Sequence, residues 1–146
     1  MNDFKLTEHF TFFELTHTGK AELQELNRRK GLCYVSALTE VCRTILEPVR
    51  ANYGKLVIVN SGFRCYELNA TVGGSASSQH MLGQAADFHV DGMLLDGVFA
   101  WLWKKSGIPF GQLIDEQRGG QRWLHCSTGG KREVLAFKDG KYTRLA

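Results

Sequence analysis

The order of hydrophobic patterns along the chain most constrains its fold. A helix-type pattern comes first: over residues 34–53 apolar side chains recur every three or four positions, and Gly54 follows as a helix-ending residue. Pro48 lies inside this pattern and is expected to kink its last turn. Strand-type runs dominate the second half. Helices followed by mostly antiparallel strands predict an α+β fold, a small sheet with helices packed on one face.

The other predicted elements are short and are separated by glycine, proline and Asp-Gly signals. A short helix is predicted over residues 66–72 and a longer one over 94–105. The predicted strands cover residues 55–60 (a buried strand), 85–90, 110–116, 121–127, 133–137 and 142–145. Asp139-Gly140 lies between the last two strands and predicts a hairpin.

Length and composition exclude several classes of protein. At 146 residues the chain fits one compact domain, which we predict to span residues 1–146. The formal charge of +3 does not indicate a nucleic-acid partner, which requires a dense basic stripe. No apolar run reaches membrane-spanning length, so we expect no membrane insertion. We also expect a monomer.

The four cysteines do not form a recognisable metal or redox motif. Cys33, Cys42, Cys65 and Cys126 include no Cys-x-x-Cys pair, which excludes a zinc ribbon and a thioredoxin-type site. We expect buried free thiols. The spacing leaves a disulfide between any two of them open.

Two histidines and one aspartate form the candidate metal site. His80 and Asp87 lie in the run Ser-Ser-Gln-His-Met-Leu-Gly-Gln-Ala-Ala-Asp-Phe, and His125 lies in Trp-Leu-His-Cys-Ser. Gly83 should turn the chain so that Asp87, in a strand, lies beside His80. Two imidazoles, one carboxylate and a fourth position open to water are typical of catalytic zinc, whereas structural zinc usually has four protein ligands. The predicted cofactor is one Zn²⁺ ion, and the predicted chemistry is hydrolysis.

A further histidine lies close to this set. His89 follows Asp87 by two positions and shares its face if the strand is regular. We interpret His89 as a supporting or surface residue, because a fourth protein ligand would close the site and argue against hydrolysis.

The sequence around the candidate ligands contains two motifs, Ser-x-His-x-x-Gly-x-Ala-x-Asp over residues 78–87 and Trp-x-His over 123–125. With Ser-Gly-Phe-Arg at 61–64, they resemble the zinc D-alanyl-D-alanine carboxypeptidase family. That family includes phage L-alanyl-D-glutamate endolysins and shares its fold with the hedgehog signalling domain. Residues 6–15 and 46–50 look like the phage-type members. The resemblance covers roughly residues 4–127.

The resemblance implies that the two histidines and the aspartate are zinc ligands. It also implies that Glu116 is the catalytic carboxylate and that Arg64 faces the substrate, where its planar fork can bind a carboxylate or carbonyl. Strand parity alone leaves Asp115 as an alternative. Glu116 shares a face with His125 if it pairs opposite Trp123, and a one-residue slip would put Asp115 there instead. The family match favours Glu116.

Three further residues are predicted to bind substrate. Ser78 and Gln112 can donate hydrogen bonds to a ligand at the site. The alternative for either residue is a hydrogen bond to backbone groups alone. Trp123 lies two positions before His125 and should line the cleft on the same face.

The function implied by the resemblance is a zinc metallopeptidase that cuts the peptide stem of bacterial peptidoglycan, at D-Ala-D-Ala or at an internal bond such as L-Ala-D-Glu. The alternative is a non-catalytic wall-binding or structural module that retains zinc. A third option is a zinc peptidase for another D-amino-acid or dipeptide substrate. The N-terminus lacks the apolar core of a secretory signal. We therefore expect a cytoplasmic protein that is released by phage or prophage lysis.

Overall fold

A computed structural model describes residues 1–146 and has the predicted α+β fold. The α-helices are Phe12–Thr16 (α1), Gln24–Gly31 (α2), Val35–Val41 (α3), Glu47–Tyr53 (α4), Tyr66–Thr71 (α5) and Leu95–Lys104 (α6). The strands are Lys5–Thr7 (β1), Phe10–Thr11 (β2), Val57–Ser61 (β3), Ala85–Val90 (β4), Gln112–Arg118 (β5), Gln121–Ser127 (β6), Glu133–Lys138 (β7) and Lys141–Arg144 (β8). No helix combines the length and apolarity that crossing a bilayer requires.

Six strands form the main sheet, in the order β3-β4-β6-β5-β7-β8. All neighbours are antiparallel except β5 and β7, which run parallel because the chain crosses from β6 to the far side of β5. Strands β1 and β2 form a separate two-stranded sheet. The central strands β4, β6 and β5 have a neighbour on both sides, which makes them a rigid base for side chains.

The long helical region predicted over residues 34–53 is present but not uniform. Helices α3 and α4 are joined by a π turn, Cys42–Leu46. Pro48 follows in the first turn of α4. Proline has no N–H and its ring crowds the carbonyl four residues earlier, and a wider π turn relieves both problems. The irregularity therefore lies in the turn before the proline. Gly54 ends the region in the left-handed conformation, as predicted.

The helices cover one face of the main sheet. On β4 this face carries apolar side chains at every second position, and on β5 and β6 it carries them only near the ends of the strands that lie beside β4. The core includes Ala86, Phe88, Val90, Leu113, Leu124 and Cys126. Helices α3 and α6 pack against these strands. Because strand side chains alternate between faces, the intervening residues project from the opposite face. The candidate metal ligands on β4 and β6 belong to that opposite face.

Two expectations are corrected by the structure, and one helix is added to the predicted elements. Strand β3 is an edge strand rather than a buried one: Ile58 is 38% exposed, because helices cover only one face of the strand. Cys33 is exposed rather than buried, while the other three cysteines are buried, and all four are free thiols. Helix α2 was not predicted, because its sequence is mostly polar and lacks a clear apolar stripe.

Candidate metal centre

His80 is positioned by a short 3₁₀ turn, Gln79–Leu82, and not by a strand. The Ser78 hydroxyl caps this turn by accepting a hydrogen bond from the His80 backbone N–H at 3.2 Å. His80 Nδ1 lies 2.7 Å from the Gly62 carbonyl oxygen. A carbonyl oxygen can only accept, so Nδ1 carries the proton and Nε2 presents a lone pair. Residue 62 has to be glycine, because a Cβ there would collide with the Leu15 backbone.

Gly83 connects this turn to strand β4. It has φ +66°, a conformation that other residues adopt at a cost. A Cβ at this position would also lie 3.0 Å from the Cβ of Tyr34 on the neighbouring helical segment. The chain can therefore reverse here and continue into β4, where Asp87 pairs directly with His125 of β6.

The three candidate ligand atoms form a small triangle. His80 Nε2 lies 3.1 Å from Asp87 Oδ1, and His125 Nδ1 lies 3.0 Å from the same oxygen. The two imidazole nitrogens are 3.2 Å apart. Zinc–ligand bonds of about 2.0–2.1 Å in a tetrahedron separate the ligand atoms by roughly 3.3 Å. The triangle therefore has the size of one face of a zinc coordination sphere.

The positions of the protons on the two imidazole rings also favour binding of a cation between the three ligand atoms. The Gln79 side-chain amide donates to the Gly129 carbonyl oxygen at 2.6 Å, so its own oxygen faces His125 Nε2 at 3.4 Å and accepts from it. His125 Nδ1 therefore presents a lone pair, like His80 Nε2. Two nitrogen lone pairs and a carboxylate oxygen converge with no proton between them, and they repel one another unless a cation joins them. Two imidazoles and a carboxylate suit zinc among the divalent metals.

The carboxylate of this group is ionised. Burial raises the pKa of Asp87, but the Coulombic and hydrogen-bonding effects of the neighbouring His80 and His125 side chains outweigh burial, and the net pKa lies well below its usual range. A metal ligand must be deprotonated, so this environment suits metal binding. His80, Asp87 and His125 are all buried and together could hold a metal ion.

The candidate ligands line a cleft of about 590 Å³, here called the site cleft. Glu116 lines it as well and is only 8% exposed. Its side chain shares a face with His125 because Glu116 pairs opposite Trp123 and Ile114 pairs opposite His125. This is the pairing on which the sequence argument for Glu116 depended.

The alternative carboxylate lies on the opposite face. Asp115 pairs opposite Leu124, which is part of the apolar core. Arg122 holds the Asp115 carboxylate through two hydrogen bonds of 2.9 and 2.8 Å. Asp115 therefore points away from the candidate ligands and is already neutralised.

Arg64 and Trp123 also line the site cleft. Arg64 Nη2 donates to the Ser78 hydroxyl at 3.4 Å, but its buried Nε has no partner in the protein. The Trp123 indole N–H is likewise buried without a partner. Burial lowers the pKa of Arg64, while the negative charges of Asp87 and Glu116 oppose this effect. Buried donors without a partner cost free energy, so both positions are exceptions to the usual pairing of buried polar groups.

Ser78 and Gln112 lie in the same cleft but have partners within the chain. The Ser78 hydroxyl oxygen accepts hydrogen bonds from the His80 backbone N–H and from Arg64 Nη2. The Gln112 side-chain amide donates to a Glu133 carboxylate oxygen at 2.7 Å. Direct contact of these two residues with a substrate stays a prediction.

A second cleft of about 1010 Å³ adjoins the first and shares Arg64, Val72, Asp87 and Trp123 with it. His89 lines this adjoining cleft, with Nδ1 3.1 Å from the Asn60 side-chain oxygen. It is outside the group that could hold a metal. No fourth protein donor therefore closes the ligand set.

The residues of the site cleft that sequence reasoning missed include three with polar side chains that contact the site, Gln79, Arg118 and Tyr142. Arg118 Nε donates to Glu116 Oε2 at 3.0 Å. Strand alternation could have indicated Arg118, because it follows Glu116 by two positions. Gln79 and Tyr142 reach the site only through contacts between segments that are distant in sequence.

Comparison with known proteins supports the chemistry of this centre. A family model described as Peptidase M15 matches residues 9–127, which include all three candidate ligands and Glu116. No curated protein matches the chain.

Proposed function

This chain belongs to the peptidase M15 family, and we propose that it is a zinc-dependent metallopeptidase that hydrolyses a bond in the peptide stem of bacterial peptidoglycan. The observation that carries the proposal is the buried triangle of His80 Nε2, Asp87 Oδ1 and His125 Nδ1 beside the Glu116 carboxylate. The triangle accounts for metal binding, and Glu116 supplies the acid–base group that hydrolysis requires.

His80, Asp87 and His125 would hold the zinc ion in this proposal. When bound, zinc supplies a Lewis acid and lowers the pKa of water to about 7. The Gly62 carbonyl and Gln79 orient the two imidazoles by accepting from their other nitrogens. Such support keeps each ring in the tautomer that can bind a metal.

Glu116 acts as the general base and then as the general acid. One of its carboxylate oxygens accepts a proton from the attacking water and delivers it to the leaving nitrogen. Its burial at the wall of the cleft keeps bulk water from competing for that proton. Arg64 offers its guanidinium group to an acceptor oxygen of the substrate, and Trp123 lines the cleft beside it.

The test is digestion of defined muropeptides followed by mass spectrometry. Zinc-loaded protein should cut one stem bond, a chelator should abolish cleavage, and added zinc should restore it. Loss of a terminal alanine would identify a carboxypeptidase, and release of the stem at L-Ala-D-Glu would identify an endolysin-type endopeptidase. The proposal is wrong if no stem bond is cut in a metal-dependent manner, and that result would favour a zinc-retaining binding module.

A pair of variants tests the role of Glu116. Glu116→Gln should lower kcat by about 10²–10⁴-fold, the usual contribution of a general acid–base group, with zinc still bound. Asp115→Asn is the matched control, because it makes the same chemical change one residue earlier, on the opposite face of β5. Equal losses in the two variants would contradict a specific role for Glu116.

A further inference from the structure

We propose that Arg118 forms a carboxylate-binding subsite beside Glu116, so that the substrate carries a free carboxylate close to the scissile bond. This inference rests on the proposed peptidase function and names a specificity residue for it. The evidence is the position of the Arg118 side chain, its free hydrogen-bond donors and the balance of charge in the site cleft.

Two contacts hold the Arg118 guanidinium in place. Its Nε donates to Glu116 Oε2 at 3.0 Å, and its planar group stacks over the Phe137 ring at 3.8 Å from the centroid. Phe137 pairs opposite Glu116 on β7, so the register of the sheet brings these groups together. Tyr142 supports the Phe137 ring from β8, with ring centroids 4.6 Å apart. Arg118 is therefore fixed at the wall of the cleft.

The remaining donors of Arg118 are available to a ligand. Its only hydrogen bond within the protein runs through Nε, so Nη1 and Nη2 have no protein acceptor. Its side chain is 49% exposed and lines the site cleft. Arg122 provides a contrast within the same sheet, because its Nε and Nη2 donate to Asp115 and Nη2 also contacts Asp96. Arg122 has its carboxylate partners already, and Arg118 retains an open pair of donors.

The charge of the cleft favours an anion. A metal ion would neutralise Asp87, which leaves the single negative charge of Glu116 facing two guanidinium groups. Arg64 and Arg118 line the same cleft. Burial lowers the pKa of Arg64, and the positive charge of Arg118 lowers it further. A guanidinium group with free donors suits a planar carboxylate, which can accept two parallel hydrogen bonds.

That carboxylate can come from two parts of a stem peptide. It is either the C-terminal carboxylate of the peptide or the free carboxylate of an internal residue such as D-Glu. The chemistry recognised by Arg118 is the same in both cases. Substrates in which one of the two groups is converted to an amide distinguish them.

The test is calorimetric binding of a stem peptide whose scissile bond is replaced by a reduced amide, so that it is not cleaved. Three forms are compared on the zinc-loaded protein: the free acid, the C-terminal amide and the internal carboxamide. Wild-type protein should bind the free acid about tenfold more tightly than one of the two amides, as a charge-assisted pair implies. Arg118→Gln should remove this preference and Arg118→Lys should retain part of it.

Arg144→Gln is the matched control, since it removes an arginine from an exposed position on β8 outside both clefts. It should bind all three peptides like the wild type. With cleavable peptides, Arg118→Gln should raise KM for the forms that keep the recognised carboxylate and leave KM unchanged for the form in which that group is an amide. It should also lower kcat for every form, because Glu116 loses the group that orients it.

Two results would overturn the inference. The first is a wild-type protein that binds the three peptides equally or binds none of them. The second is an Arg118→Gln variant that still prefers the free acid. If Arg118→Gln does not fold, Arg118→Lys decides, and a wild-type preference undiminished in it overturns the inference. A protein that prefers the acid through Arg118 but cleaves no muropeptide would refute the proposed function and leave the subsite standing.

Discussion

The two faces of strands β4, β5 and β6 are built from alternate residues of the same short segments and differ in almost every physical property. One face carries Asp87, Glu116 and His125 and opens into the clefts. The other carries apolar side chains such as Phe88 and Leu124 and is covered by helices. Polar groups on the helix-covered face are neutralised locally, as the Asp115–Arg122 pair illustrates.

The two faces therefore contribute differently, the covered face to the stability of the fold and the open face to metal binding and activity. Removing apolar surface from water stabilises the fold from the helix side, at roughly 25 cal/mol per Å² buried. The open face instead gathers buried lone pairs and charges that have no apolar compensation, and such groups cost free energy unless they are bonded. A metal ion would remove that cost. We therefore expect substitutions on the open face to affect metal binding and activity, and substitutions on the covered face to affect unfolding.

The largest expected effect is on the open face. Asp87→Asn removes the carboxylate charge next to the two imidazole nitrogens. Groups that only support metal ligands contribute up to about a hundredfold, so the loss of a ligand should reduce both zinc affinity and peptidase activity by more than that. Zinc content after dialysis and the rate of muropeptide cleavage measure the two effects. The comparison between faces fails if the variant loses its fold under conditions in which metal-free wild-type protein stays folded.

The matching substitution on the covered face is Leu124→Ala, next to His125 in sequence. It should lower the free energy of unfolding by about 3 kcal/mol, because it leaves a cavity in a fully buried site. Denaturant unfolding of the metal-free protein measures this loss. Zinc stoichiometry at low temperature should stay at one per chain, and a reduced stoichiometry would show that the two faces are not separable.

A substitution at Gly83 should affect both faces, because Gly83 links the His80 turn to β4 and packs against the helical segment. Gly83→Ala should lower the free energy of unfolding by about 2 kcal/mol, from the left-handed backbone and the close contact with Tyr34. It should also weaken zinc binding by moving His80. Calorimetry with zinc and thermal unfolding separate the two effects, and a change in neither would contradict this role.

The smallest effect is expected in thiol chemistry. Burial raises the pKa of Cys126, the neighbour of His125 on the covered face, to about 12, and burial likewise raises the pKa of Cys42 to about 12. A disulfide reagent at pH 8 should therefore react quickly with Cys33, the exposed cysteine, and with the others only after unfolding. Rapid labelling of Cys126 in the native protein would show that the helix-covered face opens readily.

Much of this organisation could be predicted from local sequence. Strand-type runs bounded by turn signals predict β4 at residues 85–90 and β6 at 121–127, and the structure confirms both. The Asp139-Gly140 hairpin also forms where expected, with both residues at positive φ. These features depend on neighbouring residues and on the apolar pattern, and both are visible in the chain.

Other features depended on contacts that local patterns do not contain. The parallel pairing of β5 with β7 brings Phe137 under Arg118. The half-exposed state of β3 follows from its place at the edge of the sheet. Helix α2 is polar, and its buried Asn27 bonds the backbone of Thr16, Phe63 and Cys65 rather than filling an apolar stripe. Such a helix has no apolar periodicity that would indicate it in the sequence.

The sequence by itself determined the types of donor, two imidazoles and a carboxylate, and the elements that carry most of them, because side-chain chemistry and strand alternation are local properties. The tertiary structure decided that Glu116 rather than Asp115 shares the open face, that Gly62 and Gln79 leave the two metal-facing nitrogens unprotonated, and that Arg118 stands beside Glu116. Each of these depends on strand register or on contacts between segments far apart in the chain, and such contacts exist only once the sheet has formed.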